Sequence, residues 1–359
     1  MVMFYFAFKT KRISNIKDTL LFLSATCVFI TGLYFGMMYY KTYDTLILNG
    51  SVTDKKREEV SCSHSYQCNC TTDSKGNRSC QTCYDHSFDV DWNVYSDVGN
   101  TTISREDRQG LVQPKRWDAV VVGEPYSRTE SYTNYVLGNE TSLYNYKNYN
   151  KKWVSLVPEY PFGIYDYYKA KRILQLGTSI NTSLLEQEIS NMLRTVGPTK
   201  QANVILVLTN NPDHTFVYSV RDKWLNGKKN DIVVVLGMNG NIINWVESFS
   251  WNKNTYLPIM LQQQLVEKDI TNVPVIINEL STVITKYYVR KPMAEFEYLT
   301  STITLTTGQI LFVLFMSILL PILSVVFINK YSYNRFHRPS FSTSSSRFTS
   351  RTSFNKRFR

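Results

Sequence analysis

The sequence lacks the short motifs by which many enzymes are recognised. It contains no G-x-S-x-G nucleophile elbow, no G-x-x-x-x-G-K-[ST] phosphate-binding loop and no paired catalytic carboxylates. These absences exclude the motif-defined hydrolases and nucleotide-binding proteins. Function therefore has to be inferred from the organisation of the chain and from its remaining polar clusters.

Formal charge is absent from two long stretches. Residues 19–40 carry none over 22 positions, and residues 300–329 carry none over 30. A helix needs about 20 apolar residues to cross a bilayer core, so both stretches are predicted to be transmembrane helices. Pro321 lies within the second stretch, where a membrane span tolerates a proline.

Acidic residues are absent from the C-terminal tail. Residues 330–359 hold eight basic residues and no acid, and residues 1–18 carry a net charge of +3. Together these tails account for the whole net charge of +11. Because basic flanks stay on the cytoplasmic side, both termini are predicted inside, with residues 41–299 periplasmic or extracellular. The neutral central region gives no reason to expect a nucleic-acid partner, whereas the tails are expected to contact anionic lipid.

A strand–helix–strand unit is predicted near the middle of the chain. Val204–Leu208 and Ile232–Leu236 are short, β-branched and apolar, which is typical of strands buried on both faces. Apolar residues at helical spacing over Phe216–Trp224 lie between them. This order predicts a right-handed unit with parallel strands, and Ile242–Val246 is predicted to form a hairpin with the second strand.

The regions around this unit have less regular patterns. Residues 41–60 are predicted to be a helical or loose stalk, and strands are predicted over Phe88–Val94 and Trp117–Val122. A tyrosine-rich stretch follows, which we expect to form a surface facing a partner. Its tyrosines are Tyr132, Tyr135, Tyr144, Tyr146 and Tyr149. Further helices are predicted over Tyr165–Leu176, Ser183–Leu193, Leu257–Val266 and Val273–Tyr288.

A cysteine cluster is the most distinctive local feature. Two close pairs form C-x-C and C-x-x-C, and their members are Cys68, Cys70, Cys80 and Cys83. Two such knuckles could bind a structural zinc ion, with His64 and His86 as spare ligands. In an oxidising compartment they could instead form disulfides, and a reduced, metal-free loop is a third alternative. Cys62 is the expected leftover, and in each case the role is structural.

The order of elements around the central unit resembles the TPM domain family. A long helix precedes the first strand, the next helix ends in Trp224-x-x-Gly227, and Asn230-Asp231 leads into the second strand. The resemblance covers roughly residues 180–290 and implies a domain outside a membrane, beside a transmembrane helix. The two spans, the cysteine cluster and Lys291-Pro292-Met293 also resemble uncharacterised two-span membrane proteins of large bacteriophages.

The TPM resemblance also implies a weak phosphatase activity with a divalent ion, calcium or magnesium, bound by acids at strand ends. The corresponding positions here are Asn210, Asp213 and Asp231, with Asp222 on the intervening helix. These acids could equally be turn residues and helix caps. His214, beside Asp213, is the best single candidate for acid–base chemistry.

The sequence thus predicts a mixed α/β fold: a TPM-like βαβ sandwich outside the membrane, with a small β-rich, cysteine-containing insert and two flanking transmembrane helices. The predicted segments are a basic tail (1–18), a span (19–40), a stalk and β subdomain (41–160), a TPM-like domain (161–299), a span (300–329) and a disordered basic tail (330–359). Two functions remain open. The first is a membrane-anchored interaction or scaffold protein with an unknown extracytoplasmic protein partner. The alternative is a membrane-anchored, metal-dependent phosphatase-like hydrolase.

Overall fold

The computed structural model describes residues 16–139 and 152–336. The chain divides into two compact units. One consists of Met1–Met37 with Leu305–Arg359, and the other of Met38–Thr304. Tyr144, Tyr146 and Tyr149 of the predicted tyrosine-rich surface lie outside the described residues.

The first unit is helical where it is described. Helix α1 (Ile16–Thr42) contains the first uncharged stretch from residue 19 onwards, and a helix over Thr307–Phe336 contains most of the second. Among the described residues, no helix taken alone meets the length and hydropathy of a membrane span. One bent pair, Met293–Thr302 with Thr307–Leu323, meets them jointly.

A four-stranded antiparallel sheet begins the second unit. Its strands are β1 (Tyr43–Val60), β4 (Asp89–Ser96), β5 (Gly99–Ile103) and β6 (Pro125–Thr133), in the order β5-β4-β1-β6. The first half of β1 pairs with β6 and the second half with β4. The prediction of a stalk over residues 41–60 is therefore wrong. The charged second half of this segment is a strand because its backbone is paired, while all but one of its residues are exposed or half-buried.

A second sheet forms the α/β part of the unit. Its strands are β9 (Ile173–Leu176), β10 (Asn203–Thr209), β11 (Asp231–Asn239) and β12 (Ile242–Ser250), in the order β12-β11-β10-β9. β9, β10 and β11 are parallel, and β12 is antiparallel to β11. Helix α5 (Phe216–Lys223) connects β10 to β11. The predicted parallel strand–helix–strand unit and its hairpin partner are confirmed.

Both faces of the second sheet are covered. One face packs against α4 (Ser183–Lys200), α6 (Tyr256–Leu265) and α7 (Val273–Tyr287). The other face packs against α5. Along β10, Leu206 and Leu208 contact the first core, whereas Ile205 and Val207 contact the second. This alternation explains why the strand is apolar at every position from 204 to 208.

Two local predictions are wrong. Tyr165–Leu176 forms β7 (Ile164–Tyr165), β8 (Lys169–Ala170) and β9 instead of a helix. Asp166 and Tyr167 have positive φ angles of 44° and 71°, which breaks a helix. Residues 117–122 are not a strand: the segment begins in the short helix α2 (Lys115–Asp118), and the Trp117 ring packs edge-on against Trp92 at 4.8 Å. Another short helix, α3 (Tyr135–Gly138), follows β6.

A buried polar network joins the two sheets. Arg172 is 1% exposed, and its guanidinium donates to the side-chain oxygens of Asn49 on β1, Ser127 on β6 and Asn203 on β10. Asn203 donates in turn to Asp231 Oδ1 at 2.9 Å. Buried polar groups of this kind are costly unless they are hydrogen-bonded, so the network fixes how the sheets meet.

Candidate functional site

A disulfide-linked hairpin, residues 65–84, is inserted between β1 and β4. We call it the cysteine hairpin. It consists of β2 (Ser65–Thr72) and β3 (Arg78–Tyr84), which pair antiparallel. Every residue of both strands is exposed or half-buried, on either face of the ribbon. The hairpin therefore projects from the unit without joining its core.

The turn of the cysteine hairpin is held by one carboxylate. Asp73 accepts hydrogen bonds from the backbone N–H groups of Lys75 and Asn77 at 2.9 and 2.8 Å. The Asn77 amide adds a third at 3.0 Å. These bonds, chiefly that from the Asn77 backbone, lower the pKa of Asp73. Gly76 has a φ of 81°, a conformation that glycine adopts without strain.

The four cysteines predicted as zinc ligands or disulfides form two disulfides. Cys68 pairs with Cys83, and Cys70 pairs with Cys80. In this oxidation state they have no thiolate to offer a metal ion. Cys62 belongs to neither pair, as expected. An isolated two-stranded hairpin is marginally stable in water, so these cross-links supply stability that a core would otherwise provide.

A second polar cluster lies where the cysteine hairpin joins the sheet. We call its members, Cys62, His64, His86 and Asp89, the neck cluster. The first two lie between β1 and β2, His86 follows β3, and Asp89 is the first residue of β4. Pairing of Val60 with Asp89 brings the two chain segments together. The backbone N–H of Asp85 donates to the His64 carbonyl at 3.1 Å across the same neck.

The side-chain atoms of the neck cluster converge. One ligand atom from each residue lies within 4.8 Å of all the others. Cys62 Sγ is 3.6 Å from His86 Nδ1, and His86 Nδ1 is 3.4 Å from Asp89 Oδ1. His64 Nδ1 is 3.6 Å from the other carboxylate oxygen, Asp89 Oδ2. Thiolate, imidazole and carboxylate groups at these separations could hold a metal ion.

Burial and charge distinguish Asp89 from the histidines. The side chain of Asp89 is fully buried, while those of His64 and His86 are 29% and 26% exposed. Asp89 Oδ2 accepts from Ser63 N and Oγ, both at 2.9 Å, and from Arg105 Nη1 at 2.8 Å. The Ser63 N–H, with Arg105 acting in the same direction, holds the pKa of Asp89 well below its ordinary value. Asp89 is therefore a carboxylate throughout the physiological pH range.

The two oxygens of Asp89 have different environments. Oδ2 has three donors, whereas buried Oδ1 receives no hydrogen bond from the described residues. Arg105 is oriented by Asp91, whose carboxylate accepts from its Nε and Nη2 at 3.0 and 2.7 Å. The salt bridge thus holds Oδ2 and leaves Oδ1 of Asp89 beside His86, whose Nδ1 is 3.4 Å away.

Part of this cluster is predictable from the sequence. His64 and His86 are the predicted spare ligands and Cys62 the predicted leftover cysteine, whereas Asp89 is not predicted. The spacings Cys62-x-His64 and His86-x-x-Asp89 were the available signal. Their meeting depends on the β1–β4 register, which a pattern of single residues does not reveal.

The acids predicted for hydrolysis are not brought together. Asp213 and His214 follow the carboxyl end of β10, whereas Asp231 begins β11. Asn203, at the start of β10, pairs with Asp231, so Asp231 lies at the opposite edge of the sheet from Asp213. Asp213 and Asp231, both predicted at strand ends, therefore do not converge on one site.

Each of these acids has a local structural role. Asp213 accepts from Thr215 N and Oγ1 at 2.9 and 2.6 Å, a turn interaction before α5. His214 is 62% exposed, and its Nδ1 lies 3.5 Å from Glu247 Oε1. Asp231 is buried and accepts from Tyr160 OH at 2.8 Å and from Lys228 N at 2.7 Å, as well as from Asn203. Within the described chain, the neck cluster is the one grouping of three or more potential metal ligands.

No family model, curated protein or solved structure matches this chain.

Proposed function

We propose that this chain is a membrane-anchored extracytoplasmic interaction protein that contacts a protein partner through its cysteine hairpin. One observation carries the proposal: two disulfides cross-link a hairpin in which every strand residue is at least partly exposed. Because the hairpin adds nothing to the core, its two cross-links are not explained by the stability of the domain.

Binding supplies that explanation. Ordering a flexible loop on association costs roughly 0.5–1.5 kcal/mol for each side chain immobilised, and more for the backbone. A hairpin that is already ordered avoids much of this cost. Tyr66 and Tyr84 are 52% and 56% exposed on an otherwise polar ribbon. Tyr66 pairs with Cys83 and Tyr84 with Ser65, so the two rings lie on opposite faces. Exposed tyrosines are frequent anchors at protein interfaces.

The tyrosine-rich stretch that the sequence suggested as the contact surface is less suitable. Tyr132 and Tyr135 are half-buried, and the Tyr132 hydroxyl donates to buried Asp44 at 2.8 Å. The proposed contact surface therefore moves from this stretch to the cysteine hairpin.

The proposed location is supported by three features. Disulfides persist in oxidising compartments outside the cytoplasm. The uncharged stretches 19–40 and 300–329, flanked by basic tails, are typical of two spans with cytoplasmic termini. Large apolar side chains on both helices are solvent-exposed, including Val28 at 72%, Phe35 at 64% and Ile318 at 64%. A lipid bilayer, with anionic lipid at the tails, is the proposed surrounding of these segments.

A TPM-like identity for residues 161–299 remains part of the proposal. It is supported by the order of strand, helix and strand, and it is compatible with a scaffold that carries the hairpin. The resemblance to bacteriophage membrane proteins stays a prediction. No observation favours the phosphatase-like alternative, because its candidate acids lie at opposite edges of the sheet.

Site-specific photocrosslinking tests the interaction. A photoreactive amino acid replaces Tyr66 in the full chain, expressed in its native membrane, and a matched control replaces Tyr256, which is 62% exposed on α6. We expect a discrete cross-linked protein at position 66 that is absent at position 256 and weakened when the hairpin disulfides are removed. Identical products at both positions, or none at position 66, would contradict the proposal.

A topology assay tests the anchoring separately. External protease should cleave residues 41–299 in intact cells while tags on both termini remain protected. Cleavage of either terminal tag from outside would contradict the two-span arrangement.

A further inference from the structure

We infer that Cys62, His64, His86 and Asp89 bind one zinc ion at the neck of the cysteine hairpin. This site differs from the zinc site that the sequence suggested, because the four cysteines of that site are paired in disulfides. The inference does not depend on the proposed function, since a zinc ion can bind here whether or not the hairpin contacts a partner.

The chemistry of the four ligands favours zinc. A thiolate and two imidazoles are the ligands that zinc prefers, and a single carboxylate completes a tetrahedral set. Calcium and magnesium require mainly oxygen ligands, so they do not fit this cluster. One thiolate and one carboxylate balance the double positive charge of the ion. The Arg105 charge is balanced separately by Asp91, at 2.7 Å.

Two separations, both involving His86, match a tetrahedral site. With zinc bonds of about 2.0–2.3 Å, tetrahedral ligands are about 3.4 Å apart for nitrogen and oxygen and about 3.6 Å apart for sulfur and nitrogen. His86 Nδ1 is 3.4 Å from Asp89 Oδ1 and 3.6 Å from Cys62 Sγ. One ring nitrogen of His64 lies within 4.8 Å of the other ligand atoms, so His64 needs a shift of about 1 Å to join them.

The buried carboxylate is an independent indication. Asp89 is fully buried, and its Oδ1 faces the cluster without a hydrogen bond from the described residues. A buried polar atom left unpaired is costly, and a metal ion would satisfy it. Arg105 and Ser63 hold the other oxygen, as outer-shell groups do around metal-binding carboxylates. Arg105 is therefore a positioning residue for the site.

The site would be structural and reachable. Four protein ligands close a zinc site and leave no position for substrate. The part-exposed rings of His64 and His86 leave an entry path from solvent. Because two ligands precede the hairpin and two follow it, a bound ion would fix the direction in which the hairpin projects.

Zinc binding can be followed through the alkylation of one native thiol, that of Cys62. In a Cys27→Ser full-length chain purified in detergent, Cys62 is the one cysteine outside the disulfides. The chain is stripped with chelator, kept oxidised and titrated with zinc. We expect one zinc ion per chain by mass spectrometry, and zinc-dependent protection of Cys62 from alkylation. No bound zinc, or zinc that leaves Cys62 equally reactive, would overturn the inference.

Variants then test the other ligands. His86→Gln and Asp89→Asn should abolish stoichiometric zinc binding, whereas His214→Gln, an exposed histidine elsewhere, should bind normally. Arg105→Met should retain binding with affinity lowered about 10- to 100-fold. Cobalt added to the parent chain should produce a thiolate-to-cobalt charge-transfer band, a readout that needs no ligand variant to fold. Full zinc binding by His86→Gln, or a cobalt spectrum without thiolate character, would refute the assignment.

Discussion

Removing the hairpin disulfides should unfold the cysteine hairpin without unfolding the unit that carries it. The perturbation is the replacement of all four paired cysteines with serine. The cross-links close segments with sequence separations of 15 and 10 residues. In the chain-entropy description, a loop of that larger size contributes about 3 kcal/mol. The inner disulfide adds less than its isolated value because it lies within a loop that is already closed.

The consequence is local because the strands of the hairpin have no buried residue. A loss of about 3 kcal/mol corresponds to about a hundredfold increase in the open population of the hairpin. Amide exchange over residues 65–84 should accelerate by that factor or more. Amides of β10, inside both cores, should keep their protection, and the melting temperature of the unit should change by less than about 2 °C.

Hydrogen exchange by mass spectrometry measures both regions in one sample. Cys27→Ser, which removes a cysteine outside the disulfides, is the matched control and should leave both regions unchanged. The reasoning would be refuted if β10 lost protection together with the hairpin, since the hairpin would then belong to the cooperative unit. Unchanged exchange in the hairpin would equally refute it, because the disulfides would then contribute no order.

Three further predictions concern stability. Asp231→Asn should lower the free energy of unfolding by about 1–3 kcal/mol, because an amide cannot accept every hydrogen bond that the carboxylate accepts. Asp213→Asn should lower it by about 0.5 kcal/mol, and neither variant should change a hydrolytic rate. On α4, Leu185→Ala should cost about 2–5 kcal/mol in chemical denaturation, whereas exposed Leu184→Ala should stay within about 0.5 kcal/mol. Because the pKa of Asp73 is lowered in the folded state, its contribution to the hairpin turn is fully present above its ordinary pKa of 3.8 and is lost as the pH falls through the folded-state pKa. Amide exchange of the hairpin, corrected for intrinsic rates, should therefore accelerate over that pH range.

The parallel core could be predicted from sequence because its pattern is local. Val204–Leu208 and Ile232–Leu236 are apolar at every position, since both faces of those strands are covered. The helix between them and the turn into β12 have equally local signals. The composition of such segments indicates that both faces are buried, and both strands lie where the sequence predicts them.

Strand β1 could not be predicted in the same way. Its second half contains Asp54 to Glu59, a charged run that resembles a solvated linker. It is a strand because it pairs with β4, which follows the cysteine hairpin in the chain. Strand β9 is similar: Ile173–Leu176 is four residues long, and its conformation depends on pairing with β10. Hydrogen bonding to a distant strand outweighs the local preference in both cases.

The neck cluster contains residues that the sequence makes conspicuous and one residue whose position depends on distant strand pairing. Cysteine and histidine are rare enough in this chain that Cys62, His64 and His86 stand out individually. Asp89 does not, because acidic residues are common and the alternation of Phe88–Val94 already explains it as a strand residue. The β1–β4 register places Asp89 opposite Val60, next to the cysteine, and burial then removes it from water. A ligand set becomes visible when the pairing of strands is known. The four cysteines of the hairpin are conspicuous by their spacing, but that spacing is compatible with zinc, with disulfides and with a reduced loop, and the structure selects the disulfides.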